Sequence, residues 1–261
     1  MKIIVSIKQV PVRDSQLRVE SSGRWIQEND LSFEINEPDA YALEEGLQLK
    51  EKHGGEVIAL CAGPARATQT IREALAKGAD RAIHIEDDRL SSLDTLGLAK
   101  LLAKAAEAEK ADLILTGLQS DDLGYGQTGV VLAELLGLPH GTLIMQVEKQ
   151  DGHIRVKREL EDGWFQHVEM PLPALLAIQS GIYKLRYATL MGIKKARTKP
   201  IRRVTAADLG VEGPAGAPPA SVTIERLYLP RRAKRTQLFA GDPQEAAAQL
   251  VEKLRFEARV I

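Results

Sequence analysis

The residues best suited to chemistry lie in a glycine-rich loop between an apolar run and an apolar periodic segment. The run at residues 113–115 has strand length and ends at Gly117, and the segment that begins at Val130 is typical of a helix. Glycines let a ligand approach the backbone, and free N–H groups at a helix start point at an anion. The loop therefore predicts a bound nucleotide; the alternative is that the glycines only make a turn.

Residues 124–129 of this loop match G-x-G-x-x-G, the fingerprint of a dinucleotide fold. That fingerprint belongs directly after the first strand, whereas residues 118–123 separate Gly124 from Gly117. The first strand leads instead into the sequence KQVP, which contains no glycine. We interpret the match as a coincidence and expect no Rossmann-type NAD site.

Strands and helices alternate through the first two-thirds of the chain, which predicts a doubly wound parallel sheet with helices on both faces. The strand-like runs are residues 3–7, 57–61, 81–85 and 113–117. Ligands in such folds bind beyond the carboxyl ends of the strands. Ser6, Asn36, Ala62 and Gly117 all lie at or just past those ends, which supports one shared site.

Two of the predicted helices begin with a capping-box pattern. Asn36 and Asp39 predict the start of the first helix, which Gly54 ends. Ser91 and Asp94 predict the start of the helix that runs through Glu109.

The pattern changes after Gly141. Alternating segments joined at two Asp-Gly pairs predict an antiparallel extension, and residues 175–179 are placed to return to the sheet. After Pro200 the regular pattern is lost, and residues 210–219 indicate an exposed linker before an amphipathic helix at 244–261. We expect a nucleotide-binding domain over 1–205 and a linker with an arm over 206–261, packed on a partner subunit or on its own domain.

Composition excludes several classes of protein. The 261 residues are 44% hydrophobic, and no apolar run approaches the ~20 residues of a membrane span, so we expect no direct membrane insertion. The N-terminus enters a strand at once and Cys61 is the only cysteine, which together predict a cytoplasmic protein without a disulfide framework. The five histidines show no ligand spacing, and a nucleophile elbow and a P-loop motif are missing. No metal site and no catalytic residue is predicted, which favours a carrier or binding role.

Basic residues are concentrated in one segment although the net charge is only −1. Residues 184–203 hold eight basic residues and no acidic one, and five more follow between Arg226 and Arg235. Such a concentration is typical of a nucleic-acid patch, a protein-docking surface or a solvated face. Aromatic content of 4% offers few stacking platforms, so we do not expect nucleic acid.

Five motifs, in family order and at family spacing, resemble the β subunit of electron transfer flavoprotein. They are MKIIVSIKQVP, NEPDAYALEEGLQLKEK, AGPARATQTIREALAKGADRAIHI, GLQSDDLGYGQTG and RYATLMGIKKARTK. The resemblance implies a heterodimer with an α subunit that holds most of one FAD. It implies single-electron transfer from acyl-CoA dehydrogenases of fatty acid oxidation, or other flavin dehydrogenases, to a quinone oxidoreductase.

The resemblance also implies a structural AMP in this subunit. By matching motif, its pocket would be lined by Ser6, Asn36, Glu37, Pro38, Asp39, Ala62, Gly117, Gln119, Ser120, Asp121, Asp122, Leu123, Gly124, Tyr125, Gly126, Gln127 and Thr128. Gly126 stands where the family commonly has Asn, so one side-chain contact is lost. A bifurcating branch of the family carries a second FAD in this pocket and oxidises NADH. Thr128 and Val130 stand where that branch has Val and Pro, which favours AMP.

The same resemblance implies a partner-recognition loop within residues 184–203. Leu190 would anchor in a hydrophobic pocket of an acyl-CoA dehydrogenase, with Arg186, Lys194 and Lys195 around it. The alternative is that Leu190 belongs to the core. A remote alternative for the whole chain, an adenine-nucleotide-using enzyme on a similar fold, would need a pyrophosphate loop after the first strand, where the sequence reads KQVP.

Overall fold

The computed structural model describes residues 1–87, 90, 93–211, 222–230 and 236–261. Ser91, most of the predicted linker (212–219) and the basic residues from Arg231 to Arg235 lie outside the described residues. The chain divides into two compact units, Met1–Glu225 and Arg226–Ile261. Among the described helices, none combines the length and apolar character needed to cross a membrane.

The first unit alternates strands and helices. Its strands are β1 (Lys2–Ser6), β2 (Gln9–Pro11), β3 (Phe33–Ile35), β4 (Glu56–Gly63), β5 (Arg81–Glu86), β6 (Leu113–Gly117), β7 (His140–Lys149), β8 (His153–Glu159), β9 (Phe165–Pro171), β10 (Ala174–Ile178) and β11 (Ile201–Val204). Its helices are α1 (Glu37–His53), α2 (Thr68–Lys77), α3 (Thr95–Glu107), α4 (Thr128–Leu136) and α5 (Leu190–Ala196). The second unit contains α6 (Pro243–Glu252), which continues as a π-helical stretch, Lys253–Ala258.

Nine of the described strands form one sheet in the order β11-β5-β4-β1-β6-β10-β7-β8-β9. Neighbours are parallel from β11 to β7, and the β7-β8 and β8-β9 pairs are antiparallel. The predicted parallel α/β sheet with an antiparallel extension is confirmed. The chain order reverses at β1, which pairs with β4 on one side and with β6 on the other.

The inner parallel strands β4, β1, β6 and β10 are buried on both faces of the sheet. In β1, Ile3 and Val5 belong to the apolar cluster that contains α1, whereas Ile4 belongs to the cluster that contains α3. This alternation follows from the two-residue period of a strand. Helix α1 packs close to the sheet because Gly46 lies against Val5 and Leu115, where a β-carbon would be 3.1 and 3.4 Å from their methyl groups. The middle of α1 is therefore held close to β1 and β6.

The region after Pro200 differs from its prediction. Residues Ile201–Val204 form β11, which extends the sheet by pairing with β5, and Ala206 is fully buried beyond it. The run contains two adjacent arginines that stay exposed at the sheet edge, so it lacks the apolar signal of an inner strand. The helix predicted to begin at Ser91 begins at Thr95 instead, with the side chain of Asp94 accepting a hydrogen bond from the Gly97 N–H at 2.9 Å.

Candidate functional site

A cavity lies beyond the carboxyl ends of β1 and β6, where the strand order reverses. This is the position at which open parallel sheets bind ligands. Predicted residues that line it are Ser6, Asn36, Asp39, Ala62, Gly117, Gln119, Ser120, Leu123, Tyr125, Gly126, Gln127 and Thr128. The structure thus brings together residues from four separate segments of the chain.

Asp39 joins the ends of the two central strands. Its carboxylate accepts hydrogen bonds from the N–H of Lys8, past the end of β1, at 2.7 Å and from the N–H of Gly117, at the end of β6, at 2.9 Å. Burial raises the pKa of Asp39 to about 7, although these two N–H groups act in the opposite direction. A β-carbon on Gly117 would collide with the Asp39 carboxylate and lie 2.6 Å from the Pro38 carbonyl carbon. Only glycine therefore allows this close approach.

The predicted capping box at the start of α1 is wrong. Asn36 occupies the N-cap position, but its side chain makes no capping hydrogen bond. Its amide donates to the Gln119 carbonyl at 2.9 Å and its side-chain oxygen accepts from the Asp121 N–H at 2.8 Å. In return, the Asp121 carboxylate accepts from the Glu37 N–H at 3.1 Å. The polar residues at this helix start thus hold the loop after β6 in place.

Lys8 is a part of the site that the sequence reasoning missed. Its ammonium group lies 2.6 Å from Asp122 and 3.4 Å from the Ser120 hydroxyl, so the end of β1 is tied to the loop after β6. Burial would raise the pKa of Asp122, but the charge and hydrogen bond of Lys8 outweigh it and the pKa falls. Predicted residues that do not line the cavity are Glu37, Pro38, Asp121, Asp122 and Gly124. Three of them, Glu37, Asp121 and Asp122, form contacts that stabilise the loop after β6 or the start of α1, both of which line the cavity.

The start of α4 faces the cavity with unused hydrogen-bonding capacity. No side chain caps this helix and its first turn contains no acidic residue. The adjacent hydroxyl of Thr116 is buried and has no hydrogen-bond partner among the described residues. Gly129 allows this arrangement, since a β-carbon there would lie 2.7 Å from the Thr116 oxygen. Free N–H groups beside a hydroxyl fit the oxygens of a phosphate group.

Part of the cavity wall is apolar and comes from α3 and the two flanking segments. Leu98 and Leu102 of α3 line it, with Leu93 before this helix and Leu118 and Leu123 in the loop after β6. A flat heteroaromatic ring is suited to such apolar residues, and the start of α4 lines the same cavity. No sequence motif indicates the contribution of α3, although a helix that follows β5 must start at the same edge of the sheet. The residues present therefore fit a mononucleotide with a flat base.

Cys61, near this edge in β4, is fully buried. Burial, and to a smaller extent the charge of Asp39, raises the pKa of its thiol to about 12. The thiol therefore stays protonated, as predicted for a small buried hydrophobe. Within the described residues, no three His, Cys, Asp or Glu side chains cluster as metal ligands would.

The predicted partner-recognition loop, residues 184–203, contains helix α5. Its residues 187–195 are called the docking segment below. The Thr189 hydroxyl caps the helix by accepting from the Gly192 N–H at 3.0 Å. Leu190 is 87% exposed and Tyr187 is equally exposed, so Leu190 is not part of the core of this chain. Lys194 and Lys195 are exposed as well, whereas Arg186 is paired with α1. The role of these residues in docking remains a prediction.

Comparison with known proteins agrees with this arrangement. Residues 24–209 match the electron transfer flavoprotein domain family. Proteins named electron transfer flavoprotein subunit beta are similar over nearly the whole chain. The one from Bacillus subtilis is 37% identical over 100% of both chains, that from Mus musculus is 36% identical over 100% of this chain and 99% of its own, and that from Methylophilus methylotrophus is 35% identical over 97% of each. Because both the domain family and these full-length relatives match, the chain belongs to the electron transfer flavoprotein β-subunit family.

Proposed function

We propose that this chain pairs with an electron transfer flavoprotein α subunit and holds AMP in the cavity at the ends of β1 and β6. The observation that carries the AMP assignment is the uncapped start of α4 beside the Thr116 hydroxyl, which has no hydrogen-bond partner among the described residues, in the same cavity as the apolar residues of α3. These groups would hold the phosphate and the base of a mononucleotide. Lys8 and Asp39 would keep the two sides of the cavity together.

The FAD of the heterodimer would be shared with the α subunit. When bound, this flavin can accept and release electrons one at a time. Within the second unit, α6 and its continuation expose Leu250, Val251 and Phe256, at 46%, 51% and 70%. Apolar side chains exposed along one short arm support contact with a partner subunit. The proposed electron donors are acyl-CoA dehydrogenases and the acceptor is a quinone oxidoreductase.

Nucleotide extraction from the heterodimer tests this function. The chain would be produced with and without an electron transfer flavoprotein α subunit, and the nucleotides released from each preparation would be identified and counted. One FAD and one AMP per heterodimer is the expected result. Two FAD and no AMP would favour the bifurcating alternative with NADH oxidation. An isolated chain that retains stoichiometric FAD would contradict the heterodimer proposal.

Replacing both Gln127 and Thr128 by alanine is expected to lower AMP content and heterodimer assembly. Alanine keeps the backbone N–H groups at the start of α4 but removes the Gln127 amide and the Thr128 hydroxyl, which line the cavity and can hydrogen-bond the nucleotide. The redox behaviour of the shared FAD should stay nearly unchanged, because the cavity does not supply the electron-carrying group. AMP and FAD would be counted after extraction, with the exposed Gln16→Ala as a control. Wild-type AMP content in the double variant would contradict the assignment.

Neutralising Lys194 and Lys195 is expected to slow association with a donor dehydrogenase and to reduce its salt dependence. Both side chains are exposed beside the apolar residues of α5, and charges at the rim of an interface act mainly on encounter. Association rates would be measured over a series of salt concentrations. Removing the same charge elsewhere, with Lys104→Ala in α3 and Lys110→Ala in the turn after it, is the control. An equal effect in both pairs would show that only net charge matters.

A further inference from the structure

Arg186 lies at the root of the docking segment and is held by two carboxylates of α1. Its guanidinium donates to both oxygens of Glu44, at 2.8 and 2.9 Å, and to Glu51 at 2.6 and 3.3 Å. Positions seven apart lie on one face of a helix, two turns from each other. The planar fork of arginine therefore bridges two successive turns of α1.

One member of this contact, Glu44, belongs to the chain's interior. The Glu44 side chain is only 6% exposed, so a protein that docks on the surface cannot reach it. Burial acts to raise the pKa of Glu44, but the hydrogen bonds and charge of Arg186 outweigh it and the pKa is lowered. The pKa of Arg186 is raised by Glu44 and Glu51 in turn. Removing Arg186 would leave the buried carboxylate of Glu44 without its cation.

A second interaction with α1 involves Tyr183, three residues before Arg186. Tyr183 lies next to Glu45, the residue that follows Glu44 and is 1% exposed, and burial together with the charge of Glu45 raises the pKa of Tyr183. Two neighbouring residues of α1 therefore hold the chain on both sides of Lys184 and Leu185. The chain leaves α1 only after Arg186, and Tyr187 is already 87% exposed.

The far end of the docking segment is fixed to α2. The Arg72 guanidinium donates to the Ala196 carbonyl at 2.6 Å and to the Lys199 carbonyl at 2.8 Å. Gly192 packs so closely on α2 that a β-carbon would collide with the Ala76 carbonyl oxygen. Between these attachments, Leu190 and Met191 point into solvent, at 87% and 61% exposure. An apolar segment held at both ends is preorganised for binding.

We propose that Arg186 is a positioning residue which, through Glu44 and Glu51, fixes the root of the docking segment so that α5 presents Leu190 to a partner protein. The inference rests on the proposed docking function of residues 187–195. It replaces the expectation that Arg186 is a rim charge around Leu190. A rim residue acts through its charge alone, whereas Arg186 as a positioning residue would act through the planar geometry of its guanidinium group.

Two substitutions separate these roles. Arg186→Lys keeps the charge but cannot bridge Glu44 and Glu51 in the same way, and Glu44→Gln alters the contact at a residue that a partner cannot touch. Both variants would be studied in the co-purified heterodimer, with the exposed Glu134→Gln as the control for loss of a carboxylate. If Glu44→Gln does not fold, Glu51→Gln replaces it, since that side chain is 61% exposed.

Two measurements decide the proposal. Hydrogen exchange of the backbone amides of residues 187–196 is expected to speed up about tenfold in both variants, because charged hydrogen bonds that hold the segment are lost. Dissociation from an immobilised acyl-CoA dehydrogenase should speed up by a similar factor, with the salt dependence of association unchanged. Wild-type exchange in both variants would overturn the proposal, as would a dissociation rate unchanged in Arg186→Lys.

The exchange measurement also separates this inference from the proposed function. If the wild-type heterodimer does not bind the dehydrogenase, the proposed docking function fails. Faster exchange in the two variants would still support the role of Arg186 in fixing the segment, and unchanged exchange would overturn it.

Discussion

Replacing Asp39 by alanine is expected to lower the free energy of unfolding by about 3 kcal/mol and to empty the nucleotide cavity. The substitution leaves the N–H groups of Lys8 and Gly117 without their acceptor, and each unpaired buried group costs roughly 1–3 kcal/mol. The ends of β1 and β6 would lose their common attachment to α1. Denaturant unfolding and nucleotide extraction measure the two effects.

Asp39→Asn and the exposed Asp14→Ala are the controls for this prediction. Asparagine keeps the volume, but its amide has one acceptor oxygen and would turn a donor toward one of the two N–H groups. We expect an intermediate loss of stability for Asp39→Asn and almost none for Asp14→Ala. A loss below about 1 kcal/mol in Asp39→Ala would show that water replaces the carboxylate.

A comparison of the wild-type protein with Asp39→Asn shows how Asp39 titrates. Its pKa is about 7 in the folded chain against 3.8 for a free side chain, so between these values the folded state holds a proton that the unfolded state has lost. The free energy of unfolding of the wild type relative to Asp39→Asn should therefore fall as the pH rises from about 4 to about 7. The slope should be at most about 1.4 kcal/mol per pH unit, and the difference should stay constant above about pH 7. Unfolding free energies measured at several pH values give this difference. A difference that grows with pH would contradict the raised pKa.

Replacing Leu190 by alanine is expected to weaken binding to a donor dehydrogenase by roughly thirty-fold. Truncating an interface anchor costs ~2 kcal/mol or more, and each ~1.4 kcal/mol is a factor of ten. The melting temperature and FAD content should hardly change, because the side chain is 87% exposed. Electron transfer and melting temperature would be measured together, with the exposed Leu17→Ala as the control. Unchanged electron transfer would exclude Leu190 as the anchor, and a loss of several degrees would assign it to the core of the heterodimer.

The fold could be predicted largely because inner strands and the helices that cover them have strong apolar patterns. Edge elements have weaker ones. In β11, two adjacent exposed arginines separate half-buried Ile201 from buried Val204, and α5 is a two-turn helix whose basic residues hide its pattern. Their positions depend on contacts with β5 and α2, which no local pattern contains.

That residues from four segments would meet at one cavity could be predicted as well, but the hydrogen bonds that these residues make could not. Asn36 and Asp39 fit a helix cap by spacing, yet their partners are Gln119, Asp121 and Gly117, about eighty residues away. Lys8 and Thr116 carry no motif, and their importance comes only from where β1 and β6 end. Such long-range roles require the folded chain.

The place of β10 in the sheet has a consequence for the order in which the protein can be completed during synthesis. This strand lies between β6 and β7, although it follows both in the chain, and all five of its residues are buried. Until residues 174–178 leave the ribosome, β6 has an unpaired edge and the ribbon of β7, β8 and β9 has no strand through which to join the rest of the sheet. Open strand edges invite pairing with other chains. The nascent chain is thus most exposed to aggregation just before β10 emerges. The single short strand β10 then pairs with β6 and β7 and joins the two parts of the sheet.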